Sequence, residues 1–425
     1  MTAGGWRPRS PVARRWALAA AVVCAAALLR PALPAVARPV RIGRYVEIPY
    51  GFRAAHPCPT FACDAGRGGR ARGRFPSAEP TRFWRQQASQ PVIDDGLAQP
   101  LVLAGEIVVV AELGGLEAFT RGGTSAFRVA LGVSANVATP AITPADELVA
   151  VTGRGDVVLV TRDGTVRAST RVPTGVRGAP LVLADGTVVV STGDGLRGLD
   201  ATLAPFFFVL LDAGGAGAPT LTRDGRIAVG SGNDLVLTDA EGRGALHVEL
   251  GGRALEHVAV APDGTLWAFV APGEIVAIDP SGRVRARGAN GLAQDGAPVV
   301  AADGTVRAFV RSRAGRTSLV ALSPTGRTLW ERELVGIAKG LTVDEAGTTI
   351  VAVHSPLPTG PGTTNVAPVG ELVAVDATGE VRWRVTLEGV PLGAPVRGDE
   401  GALYVLVGRG RTFLEAWGES SPASP

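Results

Sequence analysis

One segment returns down the whole chain and restricts its fold more than any other feature. It reads APLVLADGTVVV from Ala179, APTLTRDGRIAV from Ala218, HVAVAPDGTLWAF from His257 and APVVAADGTVRAF from Ala297. Altered copies begin at Gln99, Thr139, Gly340 and Ala394, so successive starts lie 40, 40, 39, 39, 40, 43 and 54 residues apart. A period this regular marks one supersecondary unit that buries its faces by stacking on copies of itself. Within the segment, Asp-Gly between two apolar, β-branched runs is a two-residue hairpin turn, because glycine takes the positive φ that branched residues resist.

Each such hairpin is followed by a second, as in LVALSPTGRTLWERELVG from Leu319 and ELVAVDATGEVRWRVTLEG from Glu371. One repeat is therefore four strands, A to D, in about 40 residues, the size of a β-propeller blade. There are eight repeats, and the last runs out after its third strand, at FLEAWGE. TRFWRQQ, Thr81 to Gln87, supplies the missing D strand from the other end of the chain. The predicted fold is all-β: an eight-bladed propeller of four-stranded blades over 81–418, closed by its N-terminal strand so that no sheet edge stays open between last blade and first.

The pattern Ala-x-Asp-x-x-Gly-x-x-x-Trp, complete at Ala374, Asp376, Gly379 and Trp383, resembles the repeat of the pyrroloquinoline-quinone-type β-propellers. The resemblance spans roughly 65–418. It implies that Trp84, Trp330 and Trp383 dock between neighbouring blades, with smaller groups such as Phe127 and Leu246 at other equivalent positions. Family members that are enzymes carry a quinone, a calcium ion and a vicinal disulfide in the channel. This sequence has no adjacent cysteines and no Asp-rich calcium loop. The reading is of no cofactor and no catalytic or metal residues, with a pyrroloquinoline-quinone-dependent oxidoreductase as the alternative.

The N-terminus follows the plan of an export signal over 1–37: RPRSPVARR is basic, WALAAAVVCAAALL apolar, and Ala35-Val36-Ala37 offers a small-x-small cleavage site. An uncleaved anchor is the other reading. Removing five arginines and no acids turns the formal charge of +3 into −2. Residues 38–90 hold ten arginines against Glu47, Asp64 and Glu79, a net +7, so the remaining chain carries −9. An acidic body argues against nucleic acid as partner.

Residues 38–80 read as an arm. In an oxidising compartment Cys58 and Cys63 pair most simply as a disulfide; a metal site with His56 and Asp64 is the alternative. GRGGRARGRF after them reads as a solvated, flexible lead-in, with a surface that binds acidic lipid or polysaccharide, or a fold back onto the acidic body, as alternatives. Residues 419–425 read as a disordered tail.

In a propeller the A–B and C–D turns share one face, while B–C loops and blade-to-blade links share the other. The turn face here is minimal, and the loop face carries the length variation, chiefly His354 to Gly370. Asp94, Asp95, Glu256, Asp295 and Lys339 (the sole lysine) lie in the links and form the candidate binding face. The sequence thus reads as an exported, monomeric, non-catalytic scaffold, periplasmic or extracellular, binding other envelope proteins. A ligand- or carbohydrate-binding sensor is a further alternative, weakened by an aromatic content of only 5%.

Overall fold

The computed structural model describes residues 40–42, 45–47, 56–93, 98–132, 138–288, 292–293, 298–311, 316–355 and 369–419. Eight antiparallel sheets follow one another around a central channel, apart from a small hairpin, Val40–Ile42 with Tyr45–Glu47. Blades one to seven occupy 101–130, 141–171, 181–210, 216–249, 254–288, 292–334 and 337–387; blade eight combines 390–418 with Thr81–Gln87. Among the described residues no helix is long and apolar enough to cross a membrane.

Period-two alternation decides which neighbour each side chain meets. In blade five, Leu266, Ala268 and Val270 pack with Ala228, Leu235 and Leu237 of blade four. Trp267 and Phe269, one residue out of phase, pack with Val306 and Ala308 of blade six. Inner strands are buried on both faces and so read as unbroken apolar runs, such as Val188–Thr192. Outer strands alternate, as Val166–Arg171 does.

The outer rim carries a repeated lock. In each blade one D-strand residue lies across the C–D turn of the next. Trp330 Nε1 donates to Ala377 O at 2.8 Å, and its ring covers Gly379, where a Cβ would stand 2.9 Å from the indole and φ is +91°. Trp84 repeats this on blade one, donating to Arg121 O at 2.8 Å over Gly123. Phe127 covers Gly164 and Leu246 covers Gly282 in the same register. Blade three departs from the pattern: its turn carries Leu203, at φ +67°, and that buried leucine packs beside the small Ala168.

Closure joins the chain ends. Strand Thr81–Gln87 pairs antiparallel with Thr412–Gly418, Thr81 opposite Gly418 and Gln87 opposite Phe413. Glu415, fully buried, receives Arg82 at 3.5 Å and Arg85 at 3.3 Å, and Trp417 Nε1 donates to it at 3.0 Å. Blade eight has no C–D turn, because its C and D strands come from opposite termini. Pro76 stands in its place: Trp383 Nε1 donates to Pro76 O at 2.9 Å. Glu419 then accepts from the backbone of Ser77 and Ala78, which ties the C-terminus to the same segment.

Trp383 is the most buried of the three docking tryptophans, so Trp383→Ala should cost about 3–5 kcal/mol. Urea unfolding of the purified chain measures this; a loss below about 1 kcal/mol would show that the lock contributes little.

Candidate binding site in the plugged channel

The innermost strand of every blade presents a backbone edge to the channel, and buried N–H and C=O groups demand partners. Residues 58–74 supply them by running once around the inside of the ring. Cys58 exchanges hydrogen bonds with Val102 of blade one at 3.0 and 3.1 Å, and Pro59 O accepts from Ile142 of blade two at 2.9 Å. Ala65 O, Gly66 O and Gly68 O accept from Leu221, Val260 and Val300 of blades four, five and six, each at 2.8 Å. Gly69 O and Ala71 N bond Val343 of blade seven, and the carbonyls of Arg72 and Arg74 accept from Arg397 of blade eight. Arg67 reaches the third blade through its side chain, donating from Nη2 to Pro180 O at 2.8 Å.

This overturns the reading of a flexible, solvated lead-in. Arg67 is 0% exposed, and its guanidinium also donates to Pro219 O, Thr60 Oγ1 and Phe61 O. The glycines are there for close approach: a Cβ on Gly69, at φ +64°, would stand 2.3 Å from Val299 Cγ1. A run that resembles a linker in composition is the part of the chain packed closest to the axis.

The plug begins with a knot. Cys58 and Cys63 are disulfide-bonded, and the loop between them turns back with Ala62 and Cys63 in the left-handed region, at φ 56° and 62°. Gln99 holds it from blade one: its Oε1 accepts from Ala62 N at 3.0 Å, and its Nε2 donates to Cys58 Sγ at 3.0 Å. His56 bonds Asp146 Oδ1 through Nε2 at 3.1 Å and accepts from Ala104 N at Nδ1, while Asp64 accepts from Gly68 N. With the sulfurs bonded to each other and His56 turned to blade two, the four residues of the alternative metal reading serve structural contacts. Among the described residues no cluster of three or more His, Cys, Asp or Glu is placed to hold a metal ion.

At its two ends the plug is held to A–B turns, His56 to Ala104 and Asp146 and Phe75 to Asp344, so it fills the turn-face end of the channel. Toward the loop face a cavity of about 200 Å³ remains. Phe61, Gln99 and His257 line its inner end, and Ala138, Thr152 and Gly153 line its outer wall. His257 meets Phe61 edge-to-face, centroids 5.1 Å apart. Burial, with a smaller push from the Arg67 charge, lowers the His257 pKa to about 3. Burial likewise lowers that of His56, against the raising pull of Asp146. At the edge of the same region Glu112 is raised to about 7 by burial and by Glu117 beside it.

Of the candidate binding residues, Asp94, Asp95 and Asp295 lie outside the described residues, as does the side chain of Glu256, whose backbone sits in strand Ala254–Val260. Lys339 is described and is a correction: it is buried, 8% exposed, at the bulge between Ala338 and Gly340, and so is not displayed on a contact surface. Most of the long loop, 356–368, is also outside the described residues. Sequence reasoning passed over Phe61, Gln99 and His257, which share no motif spacing and meet only across the channel.

The fold is that of an eight-bladed β-propeller, and its repeat resembles the pyrroloquinoline-quinone type. Residues 315–420 match the family described as outer membrane protein assembly factor BamB. BamB from Moraxella catarrhalis superposes with a TM-score of 0.59 at 17% identity, covering 80% of this chain and 100% of that one. The Dos1 propeller gives 0.60 at 9% identity over 81% and 96%. The Cps50 (Swd1) propeller domain of Myceliophteria thermophila gives 0.51 at 11% over 80% and 100%. At these identities the likeness is one of fold. No curated protein sequence matches the chain.

Stability should depend on pH in two opposed ways. His257 and His56, held neutral in the fold, bind fewer protons than in the unfolded chain, so their contribution is complete above about pH 6.5 and is lost as pH falls, for His257 toward 3. Glu112, raised from 4.5 to about 7, contributes below pH 4.5 and loses that contribution as pH rises to 7. His257→Leu should therefore reduce the acid-side loss, leaving the share of His56 and of the carboxylates held low in the fold, and Glu112→Gln should reduce the loss toward neutrality. Melting temperatures of each variant across this range test both; parallel profiles in all three proteins would refute the assignment.

Proposed function

We propose that this chain is an exported, non-catalytic protein-interaction module of the cell envelope, contacting other envelope proteins through its loop face. The observation that carries the reading is the plug: the chain fills the turn-face end of its own channel, leaving the loop face and a small blind cavity for recognition. The match of 315–420 to an outer-membrane assembly factor supports an assembly role in the envelope. The export-type leader supports the location.

Cofactor chemistry is the competing class. Pockets for ligands of that size measure roughly 300–1,000 Å³, against about 200 Å³ here. This supports a module that works without the quinone.

A photo-crosslinker placed at the exposed loop-face positions Arg154, Asn233 or Arg409 should yield adducts to envelope proteins in cells. The same group at Asp224 or Asp303, in A–B turns, should yield none. Adducts confined to the turn face, or absent from both, would overturn the reading. Thermal unfolding with pyrroloquinoline quinone and calcium should show no saturable shift. A ligand at a hundred times its dissociation constant would add about 2.7 kcal/mol, and a shift of that order would restore the enzyme.

A further inference from the structure

Among the described residues, the cavity at the loop-face mouth carries one polar side chain with no hydrogen-bond partner. Gln99 is committed to Ala62 and the disulfide, Thr139 donates to Gln99 O at 3.2 Å, and Thr152 donates to Asp156 at 3.0 Å. His257, 5% exposed, lines the same cavity, and among the described residues no hydrogen bond reaches its ring. A buried polar group amid apolar walls is costly unless something bonds it. The imidazole is neutral there, so one nitrogen accepts and the other donates.

The occupant follows from size and chemistry. A dry apolar cavity of roughly 150 Å³ takes one benzene ring, and this one is about 200 Å³. That is room for a single six-membered ring with a small substituent. A ring hydroxyl both donates and accepts, so it satisfies either imidazole nitrogen, while Phe61 and the alanines meet the ring. A charged group is disfavoured because the same burial that keeps the histidine neutral penalises it.

We propose that this cavity is a socket for a phenolic ring, the side chain of a tyrosine presented by the protein partner. The proposal rests on the interaction-module reading and adds the anchor to it. The socket exists only because the plug is in place: Phe61 comes from the disulfide loop and His257 from the innermost strand of blade five.

The test uses the full exported chain with p-cresol, the tyrosine side-chain analogue, and toluene, the same ring without its hydroxyl. p-Cresol should bind saturably and shift the His257 ring resonances, with toluene at least about tenfold weaker. His257→Leu should bring the two ligands level. Should that variant fail to fold, Ala138→Phe, which fills the cavity from its half-buried rim, should abolish binding of both while melting normally. Equal binding of the two ligands to the unmodified chain, no binding of p-cresol, or binding that survives Ala138→Phe would overturn the socket.

A final arm separates the socket from the partner. Saturating p-cresol should suppress the loop-face adducts. Adducts that persist would overturn the tyrosine anchor while leaving a phenol site. p-Cresol binding with no adducts from either face would sink the interaction-module reading, and the partner's tyrosine with it, leaving a free phenol as occupant.

Discussion

A propeller leaves eight strand edges facing its own axis, and everything distinctive in this molecule follows from how those edges are satisfied. An unpaired buried amide or carbonyl costs roughly 1–3 kcal/mol, so eight edges are a large liability if water is excluded. Here the chain answers with itself: a segment of fewer than twenty residues bonds to all eight blades, in chain order except at blade three, which the Arg67 side chain reaches. That solution explains the glycines at the axis, the wholly buried Arg67 and the disulfide that turns the segment as it enters. It also makes the channel blind.

The rim obeys a second constraint, imposed by closure. Eight sheets must each meet two neighbours at the same angle, and the D-strand residue over the next turn fixes that angle. A large ring requires glycine below it, as with Trp330 over Gly379, whereas the small Ala168 meets the leucine at 203. Blade eight is built from both termini, so its turn is missing, and Pro76 supplies the carbonyl that Ala377 and Arg121 supply elsewhere. Plug and closing strand are consecutive in sequence, which couples the two ends of the ring to the filling of its centre.

The candidate site inherits its character from both. Gln99 and His257 stand near the starts of innermost strands, where links enter the channel, and Phe61 reaches them from the plug. Burial keeps both histidines at this depth neutral, but His56 is bonded on both nitrogens while no described hydrogen bond reaches the His257 ring. The first secures the plug to the turn face. The second is left with hydrogen-bonding capacity beside the cavity at the loop face.

The repeat period, the Asp-Gly turns and the tryptophan spacing settled eight blades and the closing strand Thr81–Gln87 without reference to coordinates, because each depends on local chemistry repeated in register; two cysteines in an exported chain favoured the pair Cys58–Cys63, which the structure decided over a metal site. The plug was not legible. GRGGRARGRF has the composition of a solvated linker, and only a closed ring of unpaired edges around it makes burial of Arg67 and close packing of Gly69 favourable. Nor was the site legible. Phe61, Gln99 and His257 are separated by 38 and 158 positions, and burial, which keeps His257 neutral and without a partner, is a property of the assembled channel. Lys339 shows the converse: its place in a link was readable, but its burial at a strand bulge was decided by tertiary packing alone.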